Sequence, residues 1–157
     1  MTQLEFAQCI HLERAWNVEI ISIGVDVVEI PRIRSMVERF PRRFVDRVYT
    51  DDEQKRLGTL KDPAPYLSGR WAVKEAVLKA LGTGLTQGIR WRDINCTRLP
   101  SGAPTVELGG KAAERAQKLG IERILVTISH GRDLAVANAV ALGFPLQGEP
   151  QVPKKSP

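Results

Sequence analysis

The amino-acid sequence predicts an α+β fold, a mainly antiparallel sheet packed with helices. Three observations lead there. Two pairs of extended stretches are each joined by a short turn, which suits antiparallel strands. Strand and helix patterns do not alternate in the strict order that a parallel sheet needs. A helix near the middle of the chain is apolar around most of its circumference, so other elements must enclose it on several sides.

The first element is EIISIGVDVV at 19–28, rich in β-branched residues, in which Ile21, Ile23, Val25 and Val27 alternate with Ile20, Ser22, Gly24 and Asp26. That period reads as a strand and puts Asp26 on one face with Ser22 and Gly24. Pro31 then suits the first turn of a helix whose apolar stripe is Ile30, Ile33, Met36 and Val37, and Pro41 ends it. Arg32 and Arg39 fall on one side of that helix, two turns apart. Within FVDRVYTDDEQKRL at 44–57, Thr50 and Glu53 have the spacing of a capping box, so Thr50 opens a new helix, which KDPAP at 61–65 interrupts.

The enclosed helix lies in GRWAVKEAVLKALGTG at 69–84 and stops at Gly82, the first glycine of Gly82-Thr83-Gly84. WRDINCTRL at 91–99 and PTVEL at 104–108 flank PSGAP and read as two strands joined by a turn. A helix over 110–119 is capped by Gly120, and RILVTISH at 123–130 and LAVANAVAL at 134–142 form a hairpin around GRD. The folded unit is expected over 18–142, with a short amphipathic extension at 1–17 and a Pro- and Gly-containing tail without fixed structure at 143–157.

The 157 residues match one domain, and 43% hydrophobic with 26% charged content is ordinary for a globular protein. No run approaches the roughly 18 apolar residues of a membrane span, which excludes a transmembrane reading. The N-terminus lacks a basic start followed by an uninterrupted apolar core, so a cytoplasmic protein is expected. Cys9 and Cys96 make no disulfide framework, and with only His11 and His130 beside them they do not suit an all-protein zinc site. A net charge of +5 favours an anionic partner, and Arg32, Arg34, Arg39, Arg42, Arg43 and Arg47 gather the charge into a patch.

Glu75 and Lys79 lie one turn apart on the central helix and read either as a plain surface ion pair or as parts of a site. Trp71 and Leu78 flank them on one side and Ala72 and Ala76 on the other, while Val73, Val77, Ala80 and Leu81 fill the opposite arc. Long charged side chains on such a helix must point into a cleft or meet counter-charges. Asp26, on an apolar strand, either satisfies local backbone donors or faces the same cleft. If Asp26 and Glu75 converge beside Lys79, they suit a magnesium ion that keeps several waters and is completed by phosphate oxygens. His130 ends a strand at a turn, where it serves either structure or a cleft. Gly82-Thr83-Gly84 ends a helix instead of starting one, so it reads as a helix stop and not as a phosphate loop.

Taken together, IGVDVVEIPRI at 23–33, FVDRVYTDDE at 44–53, YLSGRWAVKEAVLKALGTG at 66–84 and VTISH at 126–130 resemble the acyl carrier protein synthase family, the small phosphopantetheinyl transferases. The resemblance implies the 4'-phosphopantetheinyl transferase fold and magnesium-dependent transfer of phosphopantetheine from coenzyme A to a serine of apo acyl carrier protein, with release of adenosine 3',5'-bisphosphate. It implies a homotrimer with active sites between neighbouring subunits. Carried over by position, it makes Asp26 and Glu75 the metal ligands; the serine proton then goes to a metal-bound water, which Asp26 is expected to orient, or directly to a carboxylate. It puts Lys79 near the coenzyme A phosphates, Arg70 in the same cleft, His130 near the nucleotide, and Arg32, Arg39 and Arg43 against the acidic carrier. Gly131 stands where an acidic residue is frequent in the family, and both chain ends run beyond its usual length.

Two other readings compete. The same chemistry can serve carrier domains of polyketide or peptide synthases, since the sequence does not fix the client. A basic helix can also meet nucleic acid phosphates, but exposed aromatic residues for base stacking and a nucleic-acid motif are both missing.

Overall fold

A computed structural model describes residues 18–144, so the expected extension at 1–17 and the expected tail beyond Phe144 lie outside the described residues. The chain opens with β1 (Glu19–Glu29) and runs directly into α1 (Ile30–Arg39), where Pro31 occupies the first turn. Proline suits that place because its missing N–H would have no partner there.

Residues 41–48 depart from expectation. Pro41 ends α1 but also starts α2 (Pro41–Val48), which buries Phe44, Val45 and Val48. The capping box forms as its spacing predicts: the Thr50 hydroxyl accepts from Glu53 N–H at 3.3 Å and the Glu53 carboxylate accepts from Thr50 N–H at 2.7 Å. The helix it opens, α3 (Asp51–Gln54), lasts one turn and is followed by a 3₁₀ turn at Leu57–Thr59.

The central helix α4 (Ala64–Leu81) begins within KDPAP and ends at Gly82, which adopts φ 71°. That left-handed conformation is accessible to glycine without a Cβ clash and lets the cap N–H turn back to Leu78 and Lys79 carbonyls. A second departure follows, because Trp91–Asp93 form a 3₁₀ turn and the strand β2 is only Ile94–Arg98. It pairs antiparallel with β3 (Pro104–Leu108), then α5 (Gly110–Lys118) leads to β4 (Ile121–His130) and β5 (Leu134–Gly143). Gly143, expected in the tail, is therefore the last strand residue, and Phe144 N–H bonds to the Gly120 carbonyl.

The main sheet has the order β1-β5-β4, antiparallel throughout, and the β2-β3 hairpin forms a separate two-stranded sheet. Helix α4 lies on one face of the main sheet and touches all three strands, with α1 and β2 on its other sides. Val73, Ala76, Val77 and Leu81 of α4 are buried, and Ala135, Ala137, Ala139 and Ala141 supply the sheet's inner surface. Small side chains on β5 let the helix backbone approach closely, which matters for the site. The outer face has no such cover: Ile23, Val25, Val27 and Leu125 are each more than half exposed.

Candidate active site

Gly24 sets the depth of the site. A Cβ at this position would lie 1.9 Å from the Ala76 carbonyl oxygen and 2.9 Å from Ala80 N, so β1 rests on the backbone of α4 at a separation that excludes a side chain. One step earlier on the same face, the Ser22 hydroxyl donates to the Ala80 carbonyl at 2.6 Å. One step later comes Asp26, which the period-two geometry brings opposite the last turns of α4.

Lys79 reaches across to the strand. Its Nζ donates to Asp26 Oδ1 at 2.8 Å and to the Val25 carbonyl at 2.8 Å. Asp26 is thus paired and only 15% exposed, while Lys79 keeps 51% exposure and the freedom to turn toward a ligand. The helical neighbour Glu75 is not its partner. Glu75 is partly buried, and its carboxyl is held above the usual glutamate range, first by burial and then by the Asp26 charge, with Lys79 and Arg32 acting in the opposite sense. Asp26, Glu75, Lys79 and Arg32 therefore share one electrostatic neighbourhood at the junction of β1, α1 and α4.

This arrangement fits a hard divalent cation. Two carboxylates that disfavour each other's charge gain from a cation between them. Among the described residues, no group of three or more His, Cys, Asp and Glu could hold a metal. Asp26 and Glu75 alone leave most of a coordination sphere to water and phosphate oxygens, which suits magnesium and not a closed zinc site.

Arg70 and His130 stand apart from that group. On the α4 wheel Arg70 lies roughly 140° from Glu75, and it is buried, with its guanidinium carbon 4.0 Å from the Tyr66 ring centroid. Its Nε has no hydrogen-bond partner, a cost that a core normally avoids. His130 is exposed at the end of β4, pairing with Ala135, whereas Asp26 on β1 pairs with Ala137. Two ladder spacings of about 4.8 Å separate those strands, so His130 of the same chain cannot touch the Asp26 carboxylate.

The arginines of the patch divide by partner. Arg32, Arg39 and Arg43 are exposed, but Arg34 is held by Asp62 at 2.6 Å. Met36, Phe40, Arg43, Phe44 and Arg47 line a hollow of about 290 Å³ between α1 and α2.

Sequence reasoning missed the pair that braces α4 from behind. Lys74 Nζ lies 2.9 Å from Glu53 Oε2, and both side chains have no exposed surface. Lys74 also donates to the Trp91 carbonyl at 3.1 Å and to the Ile94 carbonyl, while Glu53 accepts from Cys96 N–H at 3.1 Å. Burial lowers the Lys74 pKa, and the Glu53 charge opposes that shift. The available signal was a lysine on an otherwise enclosed helix, which requires a counter-charge.

Comparison with known proteins covers most of the described chain. The family model of the 4'-phosphopantetheinyl transferase superfamily matches residues 22–139. The holo-(acyl-carrier-protein) synthase of Natranaerobius thermophilus is 47% identical over 121 residues, covering 77% of this chain and 96% of that protein. The crystal structure of the Neisseria meningitidis holo-(acyl-carrier-protein) synthase superposes with a TM-score of 0.72 at 31% identity, covering 78% of this chain and 98% of that one. The Helicobacter pylori enzyme of the same name, solved in complex with coenzyme A, gives a TM-score of 0.66 at 32% identity, with 76% and 98% of the two chains covered.

Proposed function

The chain belongs to the 4'-phosphopantetheinyl transferase superfamily, and from that membership we infer that it is a holo-(acyl-carrier-protein) synthase. It transfers 4'-phosphopantetheine from coenzyme A to a serine of apo acyl carrier protein and releases adenosine 3',5'-bisphosphate. The convergence of Asp26, Glu75 and Lys79 where β1 crosses α4 carries this reading to individual residues.

In the proposed site Asp26 and Glu75 are the ligands of a magnesium ion. When bound, magnesium would offset the charge that grows on the oxygens of the attacked phosphorus. The remaining work falls to the chain itself. Lys79, half exposed and in the last turn of α4, can turn its Nζ from Asp26 to a phosphate oxygen of coenzyme A. Asp26 orients a water that takes the proton of the carrier serine as the serine oxygen attacks the phosphorus nearest the pantetheine arm. The bond from that phosphorus to the bridging oxygen breaks, and adenosine 3',5'-bisphosphate leaves with the electron pair.

The bare outer face of the sheet supports a homotrimer. Ile23, Leu125 and Val140 form one apolar row across the three strands, and Ile23, Val25 and Val27 follow one another along β1 beside the polar Asn138 and Thr127. Such a face invites burial against further copies of the chain. Sites between neighbours also give His130 a role: out of reach of Asp26 on its own chain, it would meet the nucleotide held by an adjacent subunit. Arg70, buried on α4 with an Nε that has no hydrogen-bond partner among the described residues, belongs to the same proposal. The exposed Arg32, Arg39 and Arg43 face the acidic carrier, and the Met36–Phe44 hollow receives its apolar side chains. No helix among the described residues is long and apolar enough to cross a membrane, in keeping with a cytoplasmic transferase.

Incubation with coenzyme A, magnesium and an apo acyl carrier protein tests the activity. Mass spectrometry should show a phosphopantetheine-sized gain on one serine, and absence of any gain on fatty-acid, polyketide and peptide carriers would refute the reading.

A further inference from the structure

Resting on the transferase reading above, we propose that Ser22 is a positioning residue for Lys79: its hydroxyl clamps the last turn of α4 to β1 and keeps the lysine Nζ within reach of the phosphates of coenzyme A.

A helix leaves its last four carbonyls without intrahelical partners, and an enclosed helix must find donors for them elsewhere. In α4 these are the carbonyls of Leu78, Lys79, Ala80 and Leu81. The turn after the helix serves the first two, because Thr83 N–H donates to Leu78 at 3.4 Å and Gly82 N–H donates to Lys79 at 3.1 Å. Side chains serve the other two. Arg115 Nε of α5 donates to the Leu81 carbonyl at 3.1 Å, and the Ser22 hydroxyl donates to the Ala80 carbonyl at 2.6 Å. Of these donors, Ser22 ties the turn to the strand that carries Asp26.

A bulge in that strand presents the hydroxyl. Ile20 pairs with Leu142 and Ser22 with Ala141, which leaves Ile21 without a partner in the ladder. The alternation breaks there, so Ile20 is 65% exposed while Ser22, Gly24 and Asp26 all meet α4.

Two polar ties thus join the last turn of α4 to β1: Ser22 to the Ala80 carbonyl, and Lys79 to Asp26 and the Val25 carbonyl. The second must open when Lys79 Nζ turns to a phosphate oxygen. The first is made by groups that take no part in the reaction, so it persists while the lysine changes partners. The Gly24 contact limits how near the strand comes, and the Ser22 bond limits how far the turn can draw away. Lys79 and Ala80 are consecutive, so any drift of the Ala80 carbonyl carries the lysine backbone with it.

Calorimetric titration of coenzyme A, with magnesium, into wild type, Ser22→Ala, Lys79→Met and the double variant tests the clamp. Ser22→Ala should weaken coenzyme A binding by about fivefold, and Lys79→Met should weaken it by more. In the Lys79→Met background the serine change should have no additional effect, because no lysine remains to position. Unchanged affinity in Ser22→Ala overturns the proposal. An equal loss in both backgrounds overturns it too, since the hydroxyl would then be a structural cap alone. Wild-type protein that neither binds coenzyme A nor modifies any apo carrier would instead refute the transferase reading itself.

Discussion

Lys79 Nζ sits 2.8 Å from Asp26 Oδ1, bridging the central helix to the first strand instead of closing a turn with Glu75. That pairing holds Asp26 in its orientation, leaves Glu75 without a cation of its own and keeps the lysine near the entrance.

The approach of β1 to α4 should be intolerant of added volume at one point. A Cβ at Gly24 would meet the Ala76 carbonyl at 1.9 Å, and backbone cannot swing aside as a side chain can. Gly24→Ala is expected to cost about 1–3 kcal/mol in urea denaturation and to lower transferase activity by moving Asp26 away from Glu75. Wild-type stability and rate in this variant would show that the close approach does not position the site.

The buried pair behind the helix predicts strong coupling. Lys74→Met leaves Glu53 charged and enclosed, so it should destabilise by about 3–5 kcal/mol, and Glu53→Gln with Lys74→Met should cost much less than the two single changes summed. A double-mutant cycle from denaturation curves measures this. Simple additivity would contradict the pairing.

Much of this architecture was legible in residue patterns. Alternation in EIISIGVDVV fixed which face carries Asp26, the Thr50–Glu53 spacing announced its cap, and Gly82 marked the helix end. Other features depended on distant contacts. Glu53 looked complete as a cap, but its second oxygen serves Cys96 across the chain, and Lys74 acquires its meaning only when β2 covers the helix. Local spacing also offered Glu75 as the partner of Lys79, because nothing local reveals that Gly24 brings the strand within reach. Arg70 and His130 came from resemblance, and a single chain does not gather them with the carboxylates.

Glu75 should give the metal-free protein a recognisable pH response. Its carboxyl keeps its proton to higher pH in the fold than in the unfolded chain. Between the ordinary and the raised pKa the folded state binds more protons, so this contribution to stability is present at low pH and is lost as pH rises through the window. Thermal midpoints across the weakly acidic range should show a downward component that Glu75→Gln removes and magnesium reduces. Equal slopes in wild type and variant would argue against it.

Carrier recognition should be electrostatic at α1. Arg39→Ala, alone and with Arg32→Ala, is expected to raise KM for the acyl carrier protein by up to about tenfold at low salt and to flatten its salt dependence. The Arg32 change should also disturb Glu75, whose carboxyl it helps to keep ionised. Carrier affinity that stays the same at low salt in the double variant would remove α1 from the docking surface.

Magnesium-dependent transfer by the two-carboxylate site is tested most directly by mass spectrometry of apo acyl carrier protein incubated with coenzyme A and wild-type, Asp26→Ala or Glu75→Ala protein, with and without magnesium. The predicted result is a phosphopantetheine-sized gain with the wild type and magnesium only, and none with either variant although both remain folded. Full conversion by both variants would contradict the assignment of Asp26 and Glu75 as the metal ligands.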